Sequence, residues 1–308
     1  MKKPRIVCIG DLMLDVVVRA STDVEHGTDI PGTVRFRAGG SAGNTCRTFV
    51  GLGGKAALVC ATGNDALAKR LVSAYRASGV TVHAVAGRGS TPRLAAVIAP
   101  SGERSFITER GVADSLSPSA LKPAWFARAD ALHVPAYSLL RAPVSDAALY
   151  AAKLVRARGG LVSVDLASRA PLIAAGADNG LRAVRAASPH VLFANLDEVR
   201  ALVGRRGARR LLDVAPLIVV KLGPGGCQLV WHNQSTGSVS EMEVAAKPLV
   251  ATDTTGAGDA FDAGFLYSLL VSGFDPAAPS APLLRRAALS GHRAAARLLA
   301  SPRLELAL

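Results

Sequence analysis

The chain has 308 residues, half of them hydrophobic, and a formal net charge of +13 at pH 7. This length is enough for one large α/β domain or two modest ones. No charge-free run of 18 apolar residues occurs, so the sequence predicts no transmembrane helix, and the apolar stretch after the basic residues 1–5 is too short for a signal peptide. The four scattered cysteines indicate small core residues in a reducing, cytoplasmic setting and not a disulfide framework.

The positive charge has two interpretations: attraction to nucleic acid, or a raised local concentration of phosphorylated ligands. The sequence contains no helix-turn-helix, no zinc finger and no basic tract interleaved with aromatic residues, so we expect neither a nucleic-acid nor a membrane partner. The basic cluster at 205–210, with Arg205, Arg206, Arg209 and Arg210, is predicted to cover a solvated loop and helix. The absence of CxxC and HxxxH spacings argues against a structural zinc site.

Taken in chain order, β-prone runs and helical spacing alternate along most of the sequence. Predicted strands cover 6–10, 16–18, 34–37, 56–60, 80–85, 93–98, 104–108, 131–134, 161–165, 190–193, 217–221, 227–231 and 239–244. Predicted helices cover 41–52, 65–77, 144–158, 196–203, 260–270 and 282–299. Strands that alternate with helices are typical of a mainly parallel sheet covered on both faces, so the predicted fold class is α/β.

A run of small residues stands directly before the helix predicted at 260–270. It contains the turn Gly256-Ala257-Gly258 followed by Asp259. A turn of this kind leaves backbone N–H groups unpaired at a helix N-terminus, where the helix dipole favours negative charge, so it forms an anion site. A carboxylate inside such a site can take a proton from a hydroxyl placed beside the anion. The alternative is that Asp259 only caps the helix and the glycines only make a turn.

Two further segments combine glycines with polar side chains near predicted strand ends. Gly39 and Gly40 let the backbone approach a ligand closely, and Asn44 can both donate and accept hydrogen bonds. Asp11 and Asp15 follow the first predicted strand, and ligands in parallel sheets bind beyond the carboxyl ends of strands. A carboxylate there can hold two neighbouring sugar hydroxyls, although Asp11 alternatively caps the turn.

These segments resemble the signatures of the ribokinase-like (PfkB-type) carbohydrate kinases. The family's DTxGAGDxFxxG signature matches 253–264, and GGxxxN matches 39–44. NxxE and (T/K)xGxxG segments also occur in the expected order. The resemblance spans nearly the whole chain. It implies a ribokinase-like fold, in which a central, mainly parallel sheet is flanked by helices on both faces, in one domain over 1–308. It also implies a small β-sheet lid formed by about 13–37 and 92–111.

The resemblance implies an ATP-dependent kinase that phosphorylates a hydroxymethyl group of a sugar or sugar acid. Asp259 matches the catalytic base, and the amides of Gly256, Ala257 and Gly258 match the family's anion hole. The expected sugar-binding residues are Asp15, Asp11, Gly39, Gly40, Asn44 and Tyr137, with Arg110 as a further candidate. Ribokinases proper carry Asn where this chain has Met13, which argues against ribose as the substrate.

The resemblance also assigns residues to the nucleotide and to cations. ATP is expected at Asn195, Lys221, Gly223, Gly226 and Thr254. Glu198 is expected to act on Mg²⁺ through water, which suits a cation that prefers nucleotide phosphates and waters to a full protein cage. Many relatives also bind a monovalent cation, here at Asp253 and Thr255, but the stretch 299–303 lacks the glycine-containing loop that completes that site.

Two alternatives to a sugar kinase remain open at this point. The first is a nucleoside kinase of the adenosine or pseudouridine type, which has the same fold. This alternative stays open because the family includes such enzymes and because contacts to the base come from variable lid residues. A non-catalytic sugar-binding regulator is a second alternative, against which the intact Asp259 and glycine turn argue. Homodimerisation through the lid, seen among relatives, is a further expectation.

Overall fold

The computed structural model describes residues 3–101, 103–204, 207–233, 237–249, 251, 253–301 and 305–307. Its strands are β1 Arg5–Ile9, β2 Met13–Ala20, β3 Gly32–Gly39, β4 Lys55–Thr62, β5 Thr81–Ala86, β6 Arg93–Ile98, β7 Arg104–Glu109, β8 Ala131–Pro135, β9 Leu161–Asp165, β10 Val191–Asn195, β11 Leu217–Lys221, β12 Cys227–Asn233 and β13 Ser238–Val244. Its α-helices are α1 Ser41–Gly51, α2 Ala66–Ala77, α3 Val144–Arg156, α4 Arg169–Ala175, α5 Ala177–Ala186, α6 Leu196–Val203, α7 Ala257–Val271 and α8 Ala281–Ala300.

Nine strands form the main sheet in the order β13-β12-β11-β10-β9-β8-β1-β4-β5. All neighbouring pairs are parallel except β11 with β12 and β12 with β13, which are antiparallel. The register aligns Asp165 of β9 with Phe193 of β10, and Asn195 of β10 with Lys221 of β11. The parallel strands therefore end along one common edge, which is where ligands bind in such sheets.

The two faces of the main sheet bury separate hydrophobic clusters. Strand residues alternate between them, so Val7 and Ile9 of β1 pack on one side while Ile6 and Cys8 pack on the other. Helices α3 to α6 cover the first face, and α1, α2, α7 and α8 cover the second. This arrangement confirms the predicted α/β fold with helices on both faces.

Four strands form a separate small sheet in the order β3-β2-β6-β7. Strands β2 and β3 pair antiparallel, β2 and β6 pair parallel, and β6 and β7 pair antiparallel. The two predicted β-rich pieces thus join into one sheet although they lie apart in sequence. The antiparallel pairing of β6 with β7 also confirms the predicted hairpin, whose Gly102 lies outside the described residues.

Two helices, α4 and α5, were not predicted from the sequence. Pro171 and Gly180 lower the helix propensity of this stretch, and Gly176, with φ of 84°, separates the two short helices. Leu172 and Val184 are nevertheless buried in the first hydrophobic cluster, so tertiary packing stabilises both helices.

Three other expectations concern cysteines, membranes and the basic cluster. All four cysteines are buried and free of disulfides, as predicted for core residues. Within the described ranges, no helix combines the length and apolar character needed to cross a membrane. Arg205 and Arg206 of the predicted basic cluster lie outside the described residues, whereas the exposed Arg209 and Arg210 contact Glu241 and Asp213.

Candidate active site

The site forms where the N-termini of α1 and α7 meet the carboxyl edge of the main sheet. Gly256 precedes α7 in the left-handed conformation, with φ of 77°, so the helix begins at Ala257, three residues earlier than the predicted Ala260. The first helical hydrogen bond joins the amide of Ala260 to the carbonyl of Gly256. The amide of Gly258 precedes that bond and has no partner among the described residues, as expected for a helix start.

Of the three amides predicted to form the anion hole, that of Ala257 already donates within the turn. It bonds to the carbonyl of Thr254 at 3.1 Å, which fixes the path of the chain into α7. Gly258 keeps its space because a Cβ atom there would lie 3.3 Å from Nζ of Lys221. The turn expected to form the anion hole therefore packs against the ammonium group of Lys221.

Asp259 lies in the first turn of α7 and faces α1. Nδ2 of Asn44 donates a hydrogen bond of 2.9 Å to Oδ2 of Asp259, which orients the carboxylate. Burial raises the pKa of Asp259 to about 6, with a further rise from the charge of Asp165, while Asn44 and Lys221 oppose it. The predicted base is therefore a carboxylate whose pKa lies close to neutral, which favours proton abstraction near pH 7.

Asp15 of β2 lies against the glycine pair at the end of β3. A Cβ atom on Gly39 would come within 2.2 Å of the Asp15 carboxylate. Gly40 has φ of 104°, and a Cβ atom there would lie 2.3 Å from the carbonyl oxygen of Asp11. Both glycines thus serve close packing around the carboxylates. Burial and the charge of Asp259 raise the pKa of Asp15 to about 7, against the opposing charge of Arg37.

Asp11, which follows β1, forms an ion pair with Arg110, which follows β7. The guanidinium makes two hydrogen bonds to the Asp11 carboxylate, of 3.1 and 3.2 Å, and a third, of 2.6 Å, to Asp114. It also lies over the ring of Tyr137, 5.1 Å from the centroid. Burial raises the pKa of the Tyr137 hydroxyl well above its ordinary value. These contacts join the small sheet to the edge of the main sheet.

Lys221, predicted to meet a nucleotide phosphate, is bound to two carboxylates that sequence reasoning missed. Its Nζ lies 2.9 Å from Oδ1 of Asp165 and 3.1 Å from Oδ2 of Asp262. Burial would lower the pKa of Lys221, but the two carboxylates outweigh burial and raise it. Asp165 ends a buried strand and Asp262 follows Asp259 by three helical positions, so both positions carried a weak signal.

Asn195 and Glu198 form a capping box at the start of α6. Oδ1 of Asn195 accepts from the amide of Glu198, and Oε2 of Glu198 accepts from the amide of Asn195. Burial raises the pKa of Glu198 to about 7, with a further contribution from Asp165. Within the described part of the chain, no cluster of three or more metal-binding side chains occurs. Glu198 supplies one buried carboxylate directly after β10, and a single carboxylate fits Mg²⁺ that is held chiefly by nucleotide phosphates and water.

The predicted ATP-lining glycines lie in the turn between β11 and β12. Gly226 has φ of 102°, and a Cβ atom there would lie 2.1 Å from the carbonyl of Val244, so this glycine is required by packing against β13. Gly223 has φ of 59° and open space around its Cβ position. Thr254, across the edge, is exposed.

Asp253, predicted for a monovalent cation together with Thr255, is bound by protein groups. Its Oδ1 accepts from the amide of Thr255 at 3.0 Å, and its Oδ2 accepts from Nη1 of Arg37 on β3. Sequence reasoning did not select Arg37, since its partner lies 216 positions away.

Comparison with known proteins agrees with this geometry. The pattern described as "pfkB family carbohydrate kinase" matches residues 3–300. The protein is therefore a phosphotransferase with an alcohol group as acceptor. More particularly, it belongs to the pfkB family of carbohydrate kinases.

Individual relatives differ in the substrates that they are named for. A probable fructokinase-5 of Arabidopsis thaliana is 28% identical over 282 residues, which cover 86% of this chain and 83% of the relative. The adenosine kinase from Sinorhizobium meliloti matches with a TM-score of 0.82 at 24% identity, over 97% of this chain and 95% of that one. The fructokinase from Vibrio cholerae O395, solved with fructose, ADP and calcium ion, has a TM-score of 0.77 at 21% identity, over 98% and 94%. At these identities the two structures establish the fold alone.

Proposed function

We propose that this kinase transfers a phosphoryl group from ATP to a hydroxymethyl group of a sugar or sugar acid, with Asp259 as the general base. The observation that carries the proposal is the carboxylate of Asp259 in the first turn of α7. Asn44 holds it beside the amide of Gly258, for which the described residues offer no partner. Two adjacent residues, Gly258 and Asp259, thus offer an anion site and a proton acceptor, the two groups that phosphoryl transfer to an alcohol needs.

In this mechanism Asp259 accepts the proton of the sugar hydroxyl as that oxygen approaches the γ-phosphate. Asn44 keeps the carboxylate turned toward the hydroxyl, and the helix start stabilises the charge on the transferring group. The ammonium of Lys221 lies close to Gly258, where it is paired with the carboxylates of Asp165 and Asp262. Mg²⁺, when bound, neutralises the nucleotide phosphates. In this proposal Asn195, Gly223, Gly226 and Thr254 bind the nucleotide, and Glu198 acts on Mg²⁺ through water.

A substrate screen tests this function. Purified protein is assayed for ADP release with ATP and Mg²⁺ against hexoses, pentoses, sugar acids and nucleosides, one acceptor at a time. We expect a sugar or sugar acid with a primary alcohol to give the highest kcat/KM. A preference for adenosine or pseudouridine would replace this proposal by a nucleoside kinase. Saturable sugar binding without turnover by any acceptor would favour a sugar-binding regulator.

We expect Asp15→Ala to weaken sugar binding while leaving nucleotide binding unchanged. Asp15 is a partly buried carboxylate on the face of β2 that meets Gly39, where it can accept two sugar hydroxyls. Loss of such charge-assisted hydrogen bonds lowers affinity by about tenfold to hundredfold. Calorimetry with the acceptor from the screen measures the change, and Asp23→Ala, in the exposed connection between β2 and β3, is the matched control. Unchanged sugar affinity would give Asp15 a structural role only.

We expect kcat/KM to fall as the pH is lowered through about 6, the raised pKa of Asp259. The base works in its deprotonated form, so activity is present above this pKa and is lost as the carboxylate takes up a proton. Protonation of Asp15, whose pKa is raised to about 7, weakens sugar binding in the same direction. Profiles of kcat/KM from about pH 5 to about pH 9 measure the effect. If kcat/KM stays constant down to the ordinary pKa of an exposed aspartate, Asp259 is not the base.

We propose that the small sheet is the lid of this site and that the chain is one kinase domain. Asp15 and Arg37 lie on the same cross-strand pair of the small sheet and reach the main site, which supports that role. The opposite face exposes Val34 and Ile107, at 57% and 71%, and supports pairing of two lids in a homodimer. The buried free cysteines fit a reducing, cytoplasmic setting.

A further inference from the structure

The loop that leads into the anion hole has a buried negative charge that needs a positive partner. The side chain of Asp253 is only 13% exposed, and that of Arg37, its partner, 16%. Burial alone would raise the pKa of Asp253, but hydrogen bonds from Arg37 and Thr255 outweigh burial and lower it. A carboxylate that stays ionised at this depth is costly unless it is paired, so the pair is a required part of the loop.

Asp253 sets the geometry of the turn that presents the anion hole. Its Oδ1 holds the amide of Thr255, and the next bond along the chain joins the amide of Ala257 to the carbonyl of Thr254. Gly256 then adopts the left-handed conformation that starts α7. A change in the direction of the Asp253 carboxylate therefore changes the positions of the amides that face the phosphate.

Arg37 supplies the positive charge from the small sheet. It lies opposite Asp15 in the pairing of β2 with β3, so one strand pair contributes both the sugar-binding carboxylate and the cation of the loop. Its Nε is buried and has no hydrogen-bond partner among the described residues, so the guanidinium is directed by Asp253 and not by a competing acceptor. The chain also continues past α8 to this strand, because the amide of Leu306 donates to the carbonyl of Phe36 at 2.8 Å.

We propose that Arg37 is a built-in substitute for a monovalent cation at Asp253, and that it positions the anion-hole turn without one. The residues present do not fit a monovalent cation, since Oδ2 of Asp253 already accepts from the guanidinium of Arg37. The stretch 299–303 contains no glycine, and its Pro302 and Arg303 lie outside the described residues. Arg37 is thus a positioning residue that acts through Asp253, and the effect on catalysis rests on the kinase activity proposed above.

The first test measures cation dependence of stability and needs no substrate. The melting temperature of the wild-type protein is compared in KCl and in choline chloride at equal ionic strength. We expect no difference for the wild type, because its cation position is filled. For Arg37→Ala in choline chloride we expect a lower melting temperature than that of the wild type. We expect KCl or dilute guanidinium chloride to raise the melting temperature of this variant. A wild-type protein stabilised specifically by K⁺, or an Arg37→Ala variant that responds to neither cation, would overturn the proposal.

The second test measures turnover with the acceptor from the screen. Arg37→Ala is expected to lose about tenfold to hundredfold in kcat/KM, the range for a partly buried charge-assisted pair, and to regain activity with K⁺ or guanidinium. Arg37→Lys, which keeps the charge, is expected to lose less. Arg35→Ala is the matched control, since Arg35 lies on the same strand but its guanidinium binds the exposed Glu305. Equal losses for Arg35→Ala and Arg37→Ala, or K⁺ activation of the wild type, would contradict the proposal. The melting test uses no substrate, so its result still decides the role of Arg37 if the proposed kinase activity proves wrong.

Discussion

Replacement of Asp259 by Asn is expected to lower kcat by about 10²–10⁴-fold, the usual contribution of a general base. The asparagine side chain keeps the size of the carboxylate but cannot accept the hydroxyl proton. Because the proposed base acts on the acceptor hydroxyl and not on the nucleotide, the affinity for ATP is expected to change little. Single-turnover measurements with the acceptor from the screen separate the chemical step from product release.

The matched control for this variant is Asp275→Asn. Asp275 lies after the far end of α7 and is exposed, and its side chain accepts from the backbone amide of Ala277. Its replacement is expected to leave turnover unchanged. In the Asp259→Asn variant the part of the fall in kcat/KM that belongs to Asp259, near pH 6, is expected to disappear, while the part that belongs to Asp15 remains. Near-normal turnover of Asp259→Asn in a folded protein would exclude Asp259 as the base.

Replacement of Lys221 by Met is expected to have the largest effect on stability. The substitution leaves two buried carboxylates, Asp165 and Asp262, without their counter-charge. Removal of one partner from a buried ion pair costs about 3–5 kcal/mol in the free energy of unfolding. Urea unfolding at pH 8 and pH 5 measures the loss. In the variant the pKa of Asp262, which burial already raises well above its ordinary value, rises further, so the loss is greatest at high pH and smaller at low pH.

Two further variants separate the ion-pair effect from a general effect of losing a lysine. Lys69→Met, on the exposed side of α2, is expected to change the free energy of unfolding by no more than about 0.5 kcal/mol. Lys221→Met combined with Asp262→Asn is expected to recover part of the loss, since only one buried charge then lacks a partner. Equal stability of Lys221→Met and the wild-type protein at pH 8 would show that the carboxylates find other partners.

The sequence predicted most of the strands and the loops that carry chemistry, because both are local patterns. The buried runs predicted at 161–165, 190–193 and 217–221 could be read directly, and so could the glycine turn before Asp259. The short helices α4 and α5 could not, since proline and glycine weaken their periodicity and only packing on neighbouring helices stabilises them.

The contacts that complete the site could not be predicted, because each joins distant parts of the chain. Lys221 meets Asp165 only because their strands flank β10 in the parallel sheet. Arg37 reaches Asp253 only because β3 packs over the turn before α7. Lys221, which was expected to meet a phosphate, binds carboxylates instead. Arg37, which was not selected from the sequence, binds Asp253. In both cases the fold brings the two partners close.

We propose that Asp259, beside an anion site, takes the proton of a primary alcohol while the γ-phosphoryl group moves from ATP to the alcohol oxygen and ADP leaves. The most direct test is ³¹P NMR of a mixture of ATP, Mg²⁺, the protein and the acceptor from the screen, run in parallel with Asp259→Asn. We expect the wild-type protein to form one phosphate ester at the hydroxymethyl group for each ADP released, and Asp259→Asn to form none at matched times. Release of ADP and inorganic phosphate without an ester, or an ester formed equally by both proteins, would contradict it.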